Sequence, residues 1–332
     1  MRALWSSPSQ DPESKSTTNQ LALTERPIPA LTPSTILVKV SASGVNPSDV
    51  ANALMNVFGE FQPRIPGRDF AGVVHESQNP ALPPGTAVFG TSGNALSFTC
   101  DGTAAEYVLV PEDAVMPKPR SLSMAQAAVV GVPYTTALLA LEATHTQRAD
   151  RVLILGGTGA VGTAAAHIAR CWGCSVVTTA RRDDVADINI ISDPNLHEIS
   201  KFFENGKADV IIDTIGSATL MSRAMKVLAL RGRYCVLAGP TGQAPKYDLS
   251  LTDLYRKNHT ICGVNSIPHQ PAEMAERMKR LAHMFDEDGL EPPAEDGLTL
   301  VPIERGVEAY KDAAQSKGRK HVIVIDDNES TH

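Results

Sequence analysis

The sequence predicts an α/β protein in which a barrel-like β region is interrupted by a domain built on a parallel sheet. Three observations predict it. The 332 residues exceed a single domain of about 100–200 residues. The first third of the chain reads as short strands punctuated by Pro and Gly. From about Ala125, short apolar β runs alternate with helical stretches, the pattern of βαβ units.

The elements follow in order. Residues 35–40 read as a strand that breaks at Ser43-Gly44, and 70–74, 87–90 and 104–110 read the same way. The stretch 6–20 is polar and expected as a surface turn. The later β runs are 152–155, 175–179, 210–212, 234–237 and 260–263. They are almost continuously apolar, as expected of strands covered by helices on both faces. Between the first two, Val161, Ala165, Ile168, Ala169 and Trp172 recur at helical spacing. After Ser266, Met274, Met278, Leu281, Ala282 and Phe285 share one helical face, an amphipathic stretch covers 303–314, and 321–325 reads as a strand. So little structure does not make a domain. The tail is therefore expected to return to the N-terminal β region, which puts 1–120 with 266–332 and leaves 121–265 as the parallel-sheet domain.

Composition excludes several classes. Hydrophobic residues at 42% and charged residues at 20% describe a globular chain, not a disordered one. A net charge of −7 argues against nucleic acid or an anionic membrane surface as partner. No run of 18 apolar residues exists, and the N-terminus has no apolar stretch behind a basic start. The five cysteines are odd in number and follow no framework, so a reducing, cytoplasmic setting is expected.

The strongest local signal lies at 152–162, where an apolar strand runs into Gly157-Thr158-Gly159-Ala160-Val161-Gly162 and then a helix. A bare GxGxxG is weak, but strand, glycines and helix in this order form a dinucleotide cradle. Gly157 is expected to permit the tight turn, Gly159 to admit a pyrophosphate, and Gly162 to let the helix pack closely. The amides opening the helix would then face the phosphates. At the tip of the second strand an NAD site places a carboxylate for the ribose 2′-hydroxyl. Here Arg181 and Arg182 follow Ala180, and a guanidinium suits a 2′-phosphate, so NADPH is the expected cofactor. Asp183 and Asp184 come next, and a plain surface cluster of opposite charges is the competing reading.

Several stretches resemble the medium-chain dehydrogenase/reductase superfamily in its zinc-independent quinone oxidoreductase (zeta-crystallin-like) and enoyl reductase branch. They are 43–49 (SGVNPSD), 65–74 (IPGRDFAGVV), 101–107 (DGTAAEY), 132–137 (VPYTTA) and the glycine loop, in that order along the chain. The resemblance implies a GroES-like β-barrel catalytic domain into which a Rossmann domain is inserted. In zinc-dependent relatives the catalytic metal is held at three positions that here carry Asn46, Arg68 and Val132. None offers the thiolate, imidazole or carboxylate that zinc prefers, so no metal is expected. Cys171 and Cys174 are expected to be packing residues.

The resemblance further implies that Thr136 lies near the nicotinamide, that Asn46 stands beside the reacting carbonyl and that Tyr134 borders the same pocket. Asn46 also suits an Asx turn before Pro47. Thr214, Ile215 and Gly216, and then Ala238 and Gly239, resemble turns that pass the cofactor. Lys317 or Arg319 resembles a basic residue that helps hold the 2′-phosphate. Where enoyl reductases carry a proton-donating Tyr, the nearest residue here is Phe58. Without a Lewis acid a conjugated acceptor is easier to reduce than an isolated ketone, because its charge develops on a remote oxygen. The expected activity is an NADPH-dependent reduction of a quinone or other α,β-unsaturated carbonyl compound. A trans-acting enoyl reductase of a polyketide pathway, and an NADPH-binding protein without turnover, stay open as alternatives. Relatives often form homodimers along the sheet edge, here 260–264, while others are monomers, and both states stay open.

Overall fold

The computed structural model describes residues 1–9, 19–55, 62–91, 93–182, 184–239, 246–315 and 320–325. The chain divides into one unit made of Met1–Val132 with Ile267–His332 and a second made of Pro133–Ser266.

The first unit opens with an antiparallel pair, β1 (Arg2–Pro8) and β2 (Asn19–Glu25). There follow β3 (Thr35–Gly44), α1 (Pro47–Met55), β4 (Asp69–Ser77), β5 (Ala87–Gly90), β6 (Tyr107–Pro111), β7 (Val115–Pro117) and α2 (Met124–Ala127). The chain leaves along α3 (Gly131–Ala143) and comes back as α7, β14, α8 and β15, described below. The seven-stranded sheet has the order β14-β15-β3-β4-β5-β7, with β6 also paired to β3. The length of β3 has a reason: Thr35 to Lys39 pair with β6, and Ala42 to Gly44 pair with β15. Inward side chains such as Leu4, Val38, Phe70, Val108, Tyr310 and Ile323 form its core.

The second unit runs β8 (Arg151–Leu155), α4 (Ala160–Cys171), β9 (Ser175–Ala180), β10 (Ile188–Asn189), β11 (Ala208–Asp213), α5 (Ala218–Val227), β12 (Leu228–Val236), α6 (Leu251–Arg256) and β13 (Thr260–Gly263). All six strands are parallel, in the order β10-β9-β8-β11-β12-β13. Counted from β8 this is 3-2-1-4-5-6, the Rossmann order, with its switch point between β8 and β11. Val152, Leu153, Ile154 and Leu155 are all fully buried, which explains why β8 reads as an unbroken apolar run. On one face Leu153, Val177, Ile211, Tyr234 and Phe203 pack together.

The returning segment supplies α7 (Pro271–Asp286), β14 (Leu298–Pro302), α8 (Gly306–Ala314) and β15 (Lys320–Val324). The face of α7 named from its spacing, Met274, Met278, Leu281 and Phe285, is buried. As expected, the tail joins the N-terminal β region: β15 lies antiparallel to β3 and β14 parallel to β15.

Three expectations need correction. The stretch 6–20 is not simply a turn, since its ends belong to β1 and β2, while 10–18 lie outside the described residues. The run 234–237 is only the second half of β12; the first half is obscured by Arg231 at φ +62° beside a register shift against β11. The domain boundary falls at Val132/Pro133, so 121–132 belong to the first unit. Their bonds explain it. Ser121 Oγ donates to Asp286 Oδ1 (3.0 Å), and Gln126, within the capping box of α2, donates to the Pro293 carbonyl (2.8 Å).

Phe203 is 1% exposed inside the second core. Phe203→Ala is expected to cost ~3–5 kcal/mol through the cavity it leaves, read as a lowered denaturation midpoint of that unit.

Candidate active site

In the parallel-sheet unit, the loops that follow β8, β11 and β12 leave the carboxyl ends of neighbouring strands. The first is the glycine loop. Its left-handed residue is Gly156, at φ +84°, so the tight turn assigned to Gly157 belongs one residue earlier. Gly157 is required for space instead, because a Cβ there would stand 2.5 Å from Thr178 Cβ. At Gly162 a Cβ would stand 2.2 Å from the Gly156 carbonyl oxygen, so α4 packs directly on the loop. Gly159 differs from both. A Cβ there would meet only the Gly156 oxygen, at an ordinary 3.5 Å. The protein's own atoms do not require glycine at 159, and the room lies on the open side, where Thr158, Gly159 and Ala160 are exposed and Val161 is half-buried. Gly159 caps α4 with no side-chain hydrogen bond, so no side chain fills the anion-attracting end of the helix.

The next turn is held from below by Asp213, which is 1% exposed. Its Oδ1 accepts from the N–H groups of Ile215 (2.8 Å) and Gly216 (2.9 Å), and its Oδ2 from the Tyr234 hydroxyl (2.8 Å). Burial, reinforced by Asp213, pushes that phenol far above its ordinary pKa, so it remains a donor. Thr214 Oγ1 donates to the Leu155 carbonyl (2.8 Å), tying this turn to the glycine loop. Gly216 has φ +71°, and a Cβ there would lie 2.0 Å from the Ala238 carbonyl oxygen. The turns at 214–216 and at Ala238 and Gly239 therefore lie against one another.

At the tip of β9, Arg181 and Arg182 are exposed. Arg182 Nε lies 3.8 Å from Asp184 Oδ1, with both side chains more than two-thirds exposed. That is a loose surface pair, weak in water. Asp187 is committed elsewhere, accepting from the Thr178 N–H (2.7 Å) and hydroxyl (2.8 Å). On α3, the Thr136 hydroxyl is buried with no hydrogen-bond partner among the described residues. Tyr134, assigned to a substrate pocket, is 3% exposed and places its hydroxyl 3.2 Å from His167 Nδ1 on α4. The structure gives that hydroxyl a place in packing α3 on α4.

In the first unit, positions 46, 68 and 132 converge on two buried carboxylates. Asn46 Nδ2 donates to Asp49 Oδ2 (2.9 Å) and Asp69 Oδ2 (2.8 Å), while Lys320 Nζ donates to Asn46 Oδ1. Arg68 Nε donates to Asp49 Oδ1 (2.7 Å) and its Nη2 to Ser48 Oγ. The Val132 N–H reaches both Asp69 oxygens at 2.9 Å. Asn46, Asp49, Arg68 and Asp69 are each at most 1% exposed. Lys320 is partly exposed along its stem, with the ammonium enclosed. Desolvation raises the Asp69 carboxyl above its ordinary range against the pull of Lys320, and desolvation likewise lowers the Lys320 ammonium to about 8. Both shifts favour the neutral form.

Asn46, expected beside the reacting carbonyl, donates both amide hydrogens within this network and accepts the Lys320 ammonium at its oxygen. No Asx turn accompanies it: the bonds that start α1 run from the Asp49 and Val50 N–H groups to the main-chain carbonyl of Asn46, while the side-chain oxygen accepts from Lys320. Sequence reasoning missed Asp49, Asp69 and Lys320, and also Asp213 with Tyr234. The available signal was a charged residue at the start of an otherwise apolar strand, Asp69 before Phe70 and Lys320 before the run to Ile325. Lys317, Arg319 and Phe58 lie outside the described residues. Among the described residues, no group of three or more His, Cys, Asp or Glu is placed to hold a metal ion, and no helix is long and apolar enough to cross a membrane.

Comparison with known proteins bears on this arrangement. Residues 32–120 match the family model described as alcohol dehydrogenase GroES-like domain, and residues 160–283 the one described as zinc-binding dehydrogenase. The chain is 42% identical over 260 residues to a zinc-type alcohol dehydrogenase-like protein of Schizosaccharomyces pombe, with 78% of each chain covered. It is 29% identical over 307 residues to the quinone oxidoreductase of Sus scrofa, covering 87% of this chain and 88% of that one. The quinone oxidoreductase of Thermus thermophilus, solved alone and in complex with NADPH, shares the fold with a TM-score of 0.75 at 23% identity, covering 98% of this chain and 100% of that chain.

The enclosed ammonium gives a pH test. Lys320 titrates at about 8 in the folded chain against 10.5 for an unperturbed lysine. Between those values the unfolded chain holds a proton that the folded chain has released, so stability rises with pH across the window. The thermal midpoint of the native chain is expected to climb relative to that of Lys320→Met from pH 8 to 10.5. A constant difference would show that the ammonium is solvated.

Proposed function

Because the chain belongs to the medium-chain dehydrogenase/reductase superfamily of oxidoreductases, we propose that it binds NADPH and reduces small conjugated carbonyl compounds, quinones or enones, without a metal ion. The observation that carries this reading is the occupation of the three metal-ligand positions. Asn46 donates both amide hydrogens to Asp49 and Asp69 and its oxygen faces the Lys320 ammonium, Arg68 is a cation paired with Asp49, and Val132 offers only a backbone N–H to Asp69. Zinc needs thiolate, imidazole or carboxylate ligands. Asp49 and Asp69 are carboxylates, but they are already balanced by two buried cations, Arg68 and Lys320. These residues do not fit a zinc ion.

The residues of the parallel-sheet unit do fit a dinucleotide. Gly159 leaves room for a pyrophosphate, and the amides of Ala160 and Val161 open α4 without a side-chain cap. Arg181 and Arg182 suit the 2′-phosphate, with Asp187 withdrawn from competition for the ribose. Thr214, Ile215 and Gly216 with Ala238 and Gly239 form walls made rigid by Asp213. The unpartnered Thr136 hydroxyl suits the carboxamide of a nicotinamide. Once bound, the reduced nicotinamide supplies the hydride. A quinone or enone needs little further polarisation, since its charge appears on an oxygen remote from the carbon that accepts hydride. With the Asn46 amide closed, water is the proton source for the enolate or quinol. The likeness to the porcine quinone oxidoreductase over most of both chains supports the substrate class.

The test is NADPH consumption, followed by absorbance, across a panel of quinones and enones. Tight NADPH binding with no turnover on any of them would favour a binding protein instead. Arg182→Glu is expected to weaken NADPH by roughly ten- to a hundredfold, the scale of one charged hydrogen bond, and to leave NADH nearly unchanged. Equal losses for both coenzymes would move the 2′-phosphate elsewhere. Elemental analysis of the purified chain is expected to find no stoichiometric zinc, and one zinc per chain would overturn the metal-free reading.

A further inference from the structure

We infer that Cys235 and Cys262 form a dithiol site that reacts with hydroperoxides and closes to a disulfide between β12 and β13. The two residues are direct register partners on neighbouring parallel strands. Side chains of such partners leave the same face of the sheet. Here that face is opposite the one on which Tyr234 and Ile261 pack with Leu153 and Val177. Neighbouring strands are about 4.7–4.9 Å apart, inside the range of about 4.4–6.8 Å between Cα atoms that a disulfide spans. The thiols already interact. β13 ends the order of the six-stranded sheet, so its other side pairs with no described strand and it can make the small approach that closure needs.

The two sulfurs differ in a way that sets the order of events. Cys262 is half-buried and reachable, whereas Cys235 is fully buried behind it. The hydrogen bond between them lowers the Cys262 thiol pKa and raises that of Cys235. A lowered thiol is the reactive one. The remaining cysteines do not share this arrangement. Desolvation raises Cys100, and it raises Cys174, whose thiol also donates to the Gln147 carbonyl, to about 11.

The chemistry balances with a hydroperoxide as the oxidant. The Cys262 thiolate attacks one peroxide oxygen, the O–O bond breaks, and water or an alcohol leaves with a proton, giving a sulfenic acid. The Cys235 sulfur then attacks the Cys262 sulfur. The S–O bond breaks, and the hydroxide leaves as water with the Cys235 proton. Two thiols lose two electrons, and the peroxide is reduced to two hydroxyl products.

The test treats the full-length chain with hydrogen peroxide, alkylates the remaining thiols and maps tryptic peptides. Cleavage after Arg233, Lys246, Lys257 and Arg277 puts the two cysteines in separate peptides. The expected result is one cross-linked peptide joining Cys235 to Cys262 and the loss of two of the five alkylatable thiols. In Cys235→Ser the Cys262 sulfenic acid is expected to persist and be trapped by dimedone, whereas Cys262→Ser is expected to leave Cys235 alkylatable. Oxidation that spares both while modifying Cys100, Cys171 or Cys174 would overturn the inference. So would a Cys262–Cys262 link between two chains. The mapping of the native chain stands even where a variant fails to fold.

Discussion

The first unit depends on the burial of Asp69. Its carboxylate collects the Asn46 amide from the start of α1, the Val132 N–H from the first turn of α3 and, through Asn46, the Lys320 ammonium from β15. Arg68 and Asp49 complete the set, so two negative and two positive side chains lie together inside the fold. Removing ions from water costs several kcal/mol each, and such a group survives only when every member is present. Four separated stretches of sequence are therefore held in one arrangement by a single electrostatic condition. The same condition commits both amide hydrogens of Asn46.

The fold was legible where strands write themselves into composition as apolar runs. The strands at 87–90 and 260–263 coincide with the runs, and β8, β9 and β11 extend theirs by one to three residues. What escaped were strands whose identity comes from a partner. β1 and β2 mix polar and apolar residues because one side of the pair faces solvent, β10 has two residues, and β14 carries the exposed Leu300 at the sheet edge. Such segments have little periodicity of their own. The boundary near 121–132 was likewise invisible, because it is set by bonds from Ser121 and Gln126 to residues more than 150 positions later.

In the site, the glycine loop was readable because its strand, turn and helix are contiguous. The roles of its individual glycines were not. The positive φ at Gly156 and the side chain of Thr178 behind Gly157 are facts of three dimensions. Asn46 shows the limit most clearly. Its place in a stretch that resembles a known family suggested a group facing substrate, and nothing in that stretch announces Lys320, which reaches its oxygen from 274 positions away. Tyr134 likewise has a partner that its own stretch does not announce, His167 on α4. Local pattern reveals which residues are polar and inward, and only the completed packing reveals what they face.

The pairing of β15 with β3 has a consequence for biosynthesis. Residues 42–44 wait for residues 322–324, which a ribosome adds about 280 residues later. The parallel-sheet unit, contiguous in sequence, emerges whole and has its partners at hand well before that. Throughout this interval the nascent first unit carries an open strand edge and a carboxylate pair one cation short. Unpaired edges invite association with other chains. The interval of greatest exposure to aggregation thus outlasts synthesis of the whole parallel-sheet unit, and it ends when β15 arrives with its lysine.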